Sequence, residues 1–324
     1  MRASQKMFAA VLAMSVALAP GVAHSQPKAF PNKPVRLVTV GPGSQNDIIA
    51  RLIGPKLSET WGQPVVVENR TGAGGAMAAA IVSKAPPDGY TLLILSGQFA
   101  IGAAVHPNLP YDALKDFAGV TQIGFSTAAL VVAPSLGVKS VKDFIALAKS
   151  KPGPIIFSSS GSGSGTHMNA ERFRLAAGIK TVHVAFKSSP EAVIEVVAGR
   201  VHYAMPALGP AMPFIKDGKL LALAVANAQR SPLLPDVPAM PEVLAGYTAD
   251  GSYGLLAPAG TPRPVLNQIS KDVRRVLELP DIKERLQTMG FVPVASTPEE
   301  FDRIVRADIQ LFSKVAKLAG MISK

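Results

Sequence analysis

Short apolar runs rich in β-branched residues alternate with helix-period segments along most of this 324-residue chain, and that alternation admits few folds. Strands are expected at 35–40, 65–67 and 91–95, with helices at 47–57 and 76–85 between them. A second series follows: strands at 130–133, 155–157, 182–184, 203–205 and 221–225, with helices at 141–149, 167–177 and 191–198. Strand, helix, strand is the unit of a parallel sheet whose crossover helices cover both faces. A strand at 254–257 then returns to the first series, and helices at 265–277, 281–289 and 298–318 finish the chain. The expectation is an α/β fold of two lobes, each of strands joined by crossover helices. Lobe 1 would comprise 26–128 and 251–324, and lobe 2, 129–250, would be inserted in it. No internal repeat is legible.

Residues 1–25 are set aside as a secretory signal peptide: Arg2 and Lys6 precede an apolar stretch that Pro20 and Gly21 break before the small residues Ala23 and Ser25. The mature chain would begin near Gln26 in the periplasm. The chain has no cysteine, so neither a disulfide nor a lipid anchor is available to it. The formal charge of +11 raises nucleic acid as a partner. The bases are scattered, however, as at Lys142, Lys149, Lys216, Lys219, Arg274 and Lys283, and they alternate with acids on helical segments. A solvated surface is the simpler account. A monomer that binds no nucleic acid is expected.

Chemistry is concentrated in three turns between a strand and a helix: 41–47, 69–75 and 158–167, all rich in Gly, Ser, Thr and Asn. Glycine lets backbone N–H groups approach a ligand, and the unpaired N–H groups of a helix start favour an anion. For any one turn taken alone, an ordinary turn in which Asp47 or Thr166 caps its helix is the better account. Three at strand ends together favour the binding of an anionic group.

The same turns fail the nucleotide signatures. Gly72-Ala73-Gly74 meets Met77, and Gly161-Ser162-Gly163 meets Thr166, where a dinucleotide fingerprint needs glycine; no phosphate-loop run exists. No cofactor is expected. A serine hydrolase built on Ser162 or Ser164 with His167 is the rival, although the glycines fall out of phase with the G-x-S-x-G elbow. With five histidines and no cysteine, a metal site is not expected either. Phe99 follows the strand at 91–95 and could flank a ligand ring, beside Ser96 at the strand's end. Core packing is the ordinary role of such a phenylalanine.

Taken in order, 31–36 (PNKPVR), 66–70 (VVENR), 87–92 (PDGYTL), 109–112 (LPYD), 159–167, 198–200 (AGR), 230–238 and 257–262 (APAGTP) resemble the Bug family of periplasmic receptors, the binding component of tripartite tricarboxylate transporters. The resemblance covers nearly all of the mature chain. It implies a two-lobed periplasmic binding protein of the type II kind, each lobe a doubly wound sheet flanked by helices with the ligand cleft between them, that closes on its ligand, is not an enzyme, and hands a small carboxylate to membrane subunits. In such receptors the amides of the first turn and of the Ser/Gly loop grip one carboxylate. Carried over, that implies Ser44, Asn46 and Asp47 in one lobe and Gly163, Ser164, Gly165 and Thr166 in the other, with His167 beside them. Ser44 and Ser188 stand where the family usually has glycine, and both are expected to face the cleft. The ligand is expected to be a di- or tricarboxylate, with an aromatic diacid such as terephthalate attractive because Ala100, Gly102, Ala129 and Ala207 leave room. The alternatives are the hydrolase and a partner that presents ligand to a membrane sensor kinase.

Overall fold

Strands β1 (Val35–Thr39), β2 (Val65–Asn69), β3 (Thr91–Ser96) and β4 (Phe117–Ser126) come first in the chain. Then follow β5 (Ala129–Val132), β6 (Ile155–Ser159), β7 (Thr181–Ala185), β8 (Tyr203–Ala204) and β9 (Leu221–Val225), and finally β10 (Gly251–Pro258) and β11 (Phe291–Pro293). The computed structural model describes residues 30–106, 108–150, 152–247 and 251–321, and the expected signal peptide lies outside them. Residues Lys33–Lys324 form one unit, to which all that follows refers.

The strands sort into a six-stranded sheet, β11-β4-β10-β3-β1-β2, and a five-stranded sheet, β7-β6-β8-β5-β9. Within them β1 runs parallel to β2 and β3, and β6 parallel to β7 and β8. The strands that have just crossed between lobes run antiparallel to both neighbours, β10 between β3 and β4 and β5 between β8 and β9, and the edge strand β11 runs antiparallel to β4. The two lobes thus share one strand order, with β1, β2, β3, β10 and β4 matched by β6, β7, β8, β5 and β9. That repeat is one of topology, which a scan for sequence self-similarity does not detect.

Helices α1 (Gln45–Trp61), α2 (Ala76–Ser83) and α3 (Gln98–Val105) serve lobe 1, and α4 (Val141–Ser150), α5 (Gly165–Ala177), α6 (Ser189–Val197) and α7 (Leu208–Lys216) serve lobe 2. A single turn α8 (Met240–Val243) precedes α9 (Arg263–Leu277), α10 (Pro280–Thr288) and α11 (Pro298–Leu318). α11 is clasped at its start by a capping box, Thr297 with Glu300. Trp61, at the end of α1, donates its indole N–H to Asp272 of α9 at 2.8 Å, so it is a packing residue with a satisfied polar tip. Among the described residues no helix is long and apolar enough to cross a membrane.

Each lobe has its own core: Phe144, Phe157, Phe173 and Tyr203 in lobe 2, and Phe99, Phe117 and Phe301 in lobe 1. A third cluster belongs to neither. Ile101 and Ala104 of α3 and Ile309, Phe312 and Val315 of α11 pack with Met168 of α5, which is fully buried although it lies in the other lobe. α11 is therefore a seam between the lobes as well as the last helix of lobe 1.

Besides the single turn α8, four elements depart from the expected list for identifiable reasons. β4 carries Gly119, Gly124 and the buried polar residues Thr121 and Gln122, which break the apolar alternation. The Thr121 hydroxyl donates to the Ser296 carbonyl at 2.8 Å, and the Gln122 amide to Ser252 Oγ at 3.0 Å. α3 is covered by α11 on one side and sheet on another, and so shows no polar stripe. α7 tolerates Pro213 within it, and β11 is only three residues long.

Candidate functional site

The first turns of α1 and α5 have the same construction. Gly43 and Gly163 both sit at φ 73°, a left-handed conformation that glycine adopts without strain. Ser44 and Ser164 are N-caps whose hydroxyls each accept the N–H three residues on, from Asp47 and His167, at 3.2 Å. A reciprocal bond closes each turn: Gly43 N–H donates to Asp47 Oδ2 at 2.9 Å, and Gly163 N–H donates to His167 Nδ1 at 3.0 Å. The residue at the third helical position therefore anchors the glycine in both lobes. It is an acid in one and an imidazole in the other.

Both anchors are shifted downward, which keeps the acid charged and the imidazole neutral. Burial alone would raise the Asp47 carboxyl, but hydrogen bonds from Asn69, the Gly43 N–H and Arg51, together with the Arg51 charge, hold it below the usual carboxylate range. His167 is pushed down to about 4 by burial, and by the ring of His183, whose centroid stacks 3.7 Å away. With Nδ1 accepting from Gly163, the neutral ring carries its proton on Nε2.

A cavity of about 220 Å³, roughly seven waters' share of liquid volume, lies where the lobes meet. From lobe 2 it is lined by Ala128, Ser160, Ser164, Gly165, Thr166, Asn169, Met205 and Ala207. From the other side come Ser96, Gly97, Gln98, Ile101, Ser126, Gly251, Tyr253 and Phe312. No lining side chain is charged. Thr166 Oγ1 lies 3.0 Å from both Ser160 Oγ and Ser164 Oγ and accepts the Ser160 N–H at 2.9 Å, so three hydroxyls share one corner. The N–H groups of Gly165 and Thr166, the first two of α5, have no carbonyl of their own helix to reach. Gln98 Nε2 donates to the Gly163 carbonyl at 3.1 Å and joins the lobes across the opening. Tyr253 donates to Gln45 Oε1 at 2.9 Å, and its burial raises the phenol well above its usual range.

The candidate residues named from sequence divide accordingly. Ser96, Ser164, Gly165 and Thr166 line the cavity, while Gly163 and His167 form the turn behind it. Ser44 caps α1 and does not line the cavity. Asp47 is spent on its own turn, with its carboxylate already accepting from Gly43, Asn69 and Arg51. Asn46 is buried, and its Oδ1 has no hydrogen-bond partner, a state that calls for a donor from outside the protein chain. Phe99, expected to flank a ligand ring, is buried in the lobe 1 core against Phe117 and Tyr111. It turns inward because Ile101, two residues on and about 200° further round α3, takes the cavity face instead. Ser188 caps α6 through the Glu191 N–H and is not among the lining residues. Ala207 lines the cavity, but Ala100, Gly102 and Ala129 do not.

Gln98, Ser126, Asn169, Met205, Tyr253 and Phe312 were not anticipated. Ser126 ends β4 and Gln98 begins α3, both elements hidden by their buried polar or uniformly apolar composition. Tyr253 and Phe312 arrive from the returning strand and the last helix, far away in sequence. Ser164 and His167, weighed as a hydrolase pair, do not meet through their side chains: the imidazole faces the Gly163 N–H and the hydroxyl takes the His167 backbone N–H. No group of three or more His, Cys, Asp or Glu side chains among the described residues is placed to hold a metal ion.

Residues 49–321 match the family described as the tripartite tricarboxylate transporter family receptor. The chain belongs to this family. Among relatives of the receptor, Protein BugT of Bordetella pertussis is 30% identical over 315 residues, covering 96% of this chain and 97% of its own. R. palustris Rpa4515, solved with adipate, is 33% identical with a TM-score of 0.76, over 90% of this chain and 98% of that one. MatC (Rpa3494) from Rhodopseudomonas palustris, solved with bound malate, is 30% identical with a TM-score of 0.71, over 88% and 99%. The receptor therefore has the two-lobed fold of periplasmic binding proteins, and the resemblance drawn from its short motifs is borne out.

Proposed function

We propose that this receptor captures a small carboxylate in the cavity between its lobes and delivers it to the membrane subunits of a tripartite tricarboxylate transporter. The observation that carries the reading is an uncharged cavity whose polar corner is the first turn of α5, with two unpaired N–H groups and three hydroxyls. Neutral donors in a site shielded from water hold a carboxylate without a cation, each such bond to a charged group contributing roughly 1.5–3 kcal/mol. The adipate and malate bound by two relatives support the class of ligand. Ile101, Met205 and Phe312 offer an apolar wall for the body of the molecule, and this wall replaces Phe99 in the case for an aromatic diacid such as terephthalate. The lobes close by bringing Gln98 and Ser96 onto what α5 holds.

A thermal-shift panel of adipate, malate, citrate, benzoate and terephthalate tests this reading. A ligand at a hundred times its dissociation constant stabilises by about 2.7 kcal/mol, a rise of roughly 4 °C for a chain of this size. A panel without any shift rejects the reading.

Ser164→Ala removes one hydroxyl of the polar corner and also the N-cap of α5. Affinity for the best of the panel should fall roughly ten- to a hundredfold, and stability should drop by about 1 kcal/mol through the lost cap. Calorimetric titration and urea unfolding read the two effects separately. Unchanged affinity in a variant that shows the lost cap would put Ser164 outside the binding corner.

A further inference from the structure

We infer that a second cavity between the lobes, behind the strand that crosses from one to the other, is an effector site for a small amphipathic cation, and that filling it tightens the cleft. The inference goes beyond the carboxylate reading, since this cavity shares no lining residue with the first.

The crossing segment between β4 and β5 is extended, so its side chains alternate between two sides. Ser126 and Ala128 line the first cavity, and Thr127 between them lines the second. The two cavities therefore lie on opposite sides of one strand. Thr127 is also where the lobes are tied together. Its N–H donates to the Gly290 carbonyl of lobe 1 at 3.1 Å, and its carbonyl accepts the Leu208 N–H of lobe 2 at 2.8 Å. A residue held from both lobes is a pivot, and rotation about it that opens one cavity narrows the other. In this structure Gln98 bridges the cleft to the Gly163 carbonyl while the second cavity stands open, as such a pivot requires. There is little slack beside it: a Cβ added to Gly290 would lie 3.4 Å from Cβ of Leu208 and 3.5 Å from Cδ1 of Leu233. An occupant of the second cavity resists its narrowing and so resists opening of the cleft.

The second cavity holds about 280 Å³, roughly nine waters' share of liquid volume. Lobe 2 supplies Pro232 and Leu233 to its wall, and β11 supplies Phe291, Val292 and Pro293. Such walls suit an apolar body. The one charged side chain among the lining residues is Glu284 of α10, which forms no ion pair among the described residues. A carboxylate would meet a like charge there and an ammonium group an opposite one, the reverse of the preference proposed for the cleft.

Phenethylamine, a benzene ring on a two-carbon chain ending in an ammonium group, is the probe. Calorimetric titration of the parent at low ionic strength should show one site. Gln287→Trp, which places an indole in the cavity, should weaken it by about tenfold or more, and Glu284→Gln by about threefold to fivefold. Both residues are exposed on α10, so both variants should keep the circular dichroism of the parent. With phenethylamine saturating, whichever of adipate, malate and benzoate binds the parent should bind about fivefold more tightly or better. By reciprocity that carboxylate should raise the affinity for the amine by the same factor. Gln287→Trp should show the tighter carboxylate binding without any amine. No binding of phenethylamine, or binding that Gln287→Trp leaves intact, overturns the site. Carboxylate affinity unmoved both by the amine and by Gln287→Trp overturns the coupling. If none of the three carboxylates binds, the carboxylate reading fails by itself and the amine titrations still decide the site. Small-angle scattering then reads the coupling: a smaller radius of gyration in Gln287→Trp than in the parent supports it, and an equal one overturns it.

Discussion

Acidification from pH 6.5 to pH 4 should lower the unfolding free energy of this protein by about 3 kcal/mol through His167 alone. In the folded chain the imidazole is neutral down to about 4, because burial and the stacked His183 disfavour its charge. In the unfolded chain it protonates near its ordinary value of 6.5. Between those values the unfolded state binds the extra proton, so stability is fully present above pH 6.5 and is lost progressively as the pH falls to about 4. Protonation also occupies Nδ1, and the Gly163 N–H then loses its acceptor. His183, itself lowered by burial, adds a loss of the same sign. Glu68 and Asp47, whose carboxyls are depressed below their ordinary 4.5 and 3.8, begin to lose their contribution at the acid end of this range and lose the rest below it. Urea unfolding at pH 7, 5.5 and 4.2 for the parent and for His167→Asn reads the effect as a difference in slope against pH. Parallel slopes would refute it.

Gly254→Ala should destabilise the protein by about 3 kcal/mol or more, enough to lose most of the margin of an ordinary domain. A methyl group at this position of β10 would lie 2.0 Å from Cζ of Phe301 and within 2.7 Å of two further ring atoms. Phe301 is 5% exposed and wedged between α11 and the sheet, so it has no free rotamer to adopt. Gly119, opposite Leu256 on β4, is also too close for a side chain, because its added carbon would meet Asp302 Oδ1 at 2.8 Å, Asp302 N at 2.9 Å and the Pro298 carbonyl at 3.0 Å. These glycines set how near α11 can approach the sheet. The outcome to look for is a loss of soluble expression or a fall in urea midpoint with unchanged slope. The control is Gly218→Ala, on a loop with open space around it, which should be limited to the modest strain of its left-handed conformation. An unaltered midpoint in Gly254→Ala would show that Phe301 can vacate its place.

Most strands could be read because they are short, apolar and β-branched, and most helices because one face of each is polar. The elements that could not be read are those whose environment departs from that rule, such as α3, buried all round, and β4, whose interior Thr121 and Gln122 are satisfied by partners more than a hundred residues away. The same division runs through the site. Ser164 to Thr166 were legible because a Gly- and Ser-rich turn before a helix has few other uses. Gln98, Tyr253 and Phe312 were not, since their relation to that turn exists only once two lobes and a C-terminal helix have been assembled. Asp47 was legible as a polar residue at a helix start, but its commitment to Gly43, Asn69 and Arg51 depends on β2 lying alongside β1.

The apolar seam under α11 makes the cleft a spring as well as a container. Met168 is carried by lobe 2, yet its solvent shield is Ile309, Phe312 and Val315 of the last helix. Parting the lobes at that edge wets the thioether, and a fully buried methionine resists exposure with about 1.5–3 kcal/mol. That resistance needs no ligand, because the residues that shield Met168 all belong to the chain itself. Phe312 belongs to both the seam and the cavity wall, so a change at that ring alters the packing between the lobes and the lining of the cavity together.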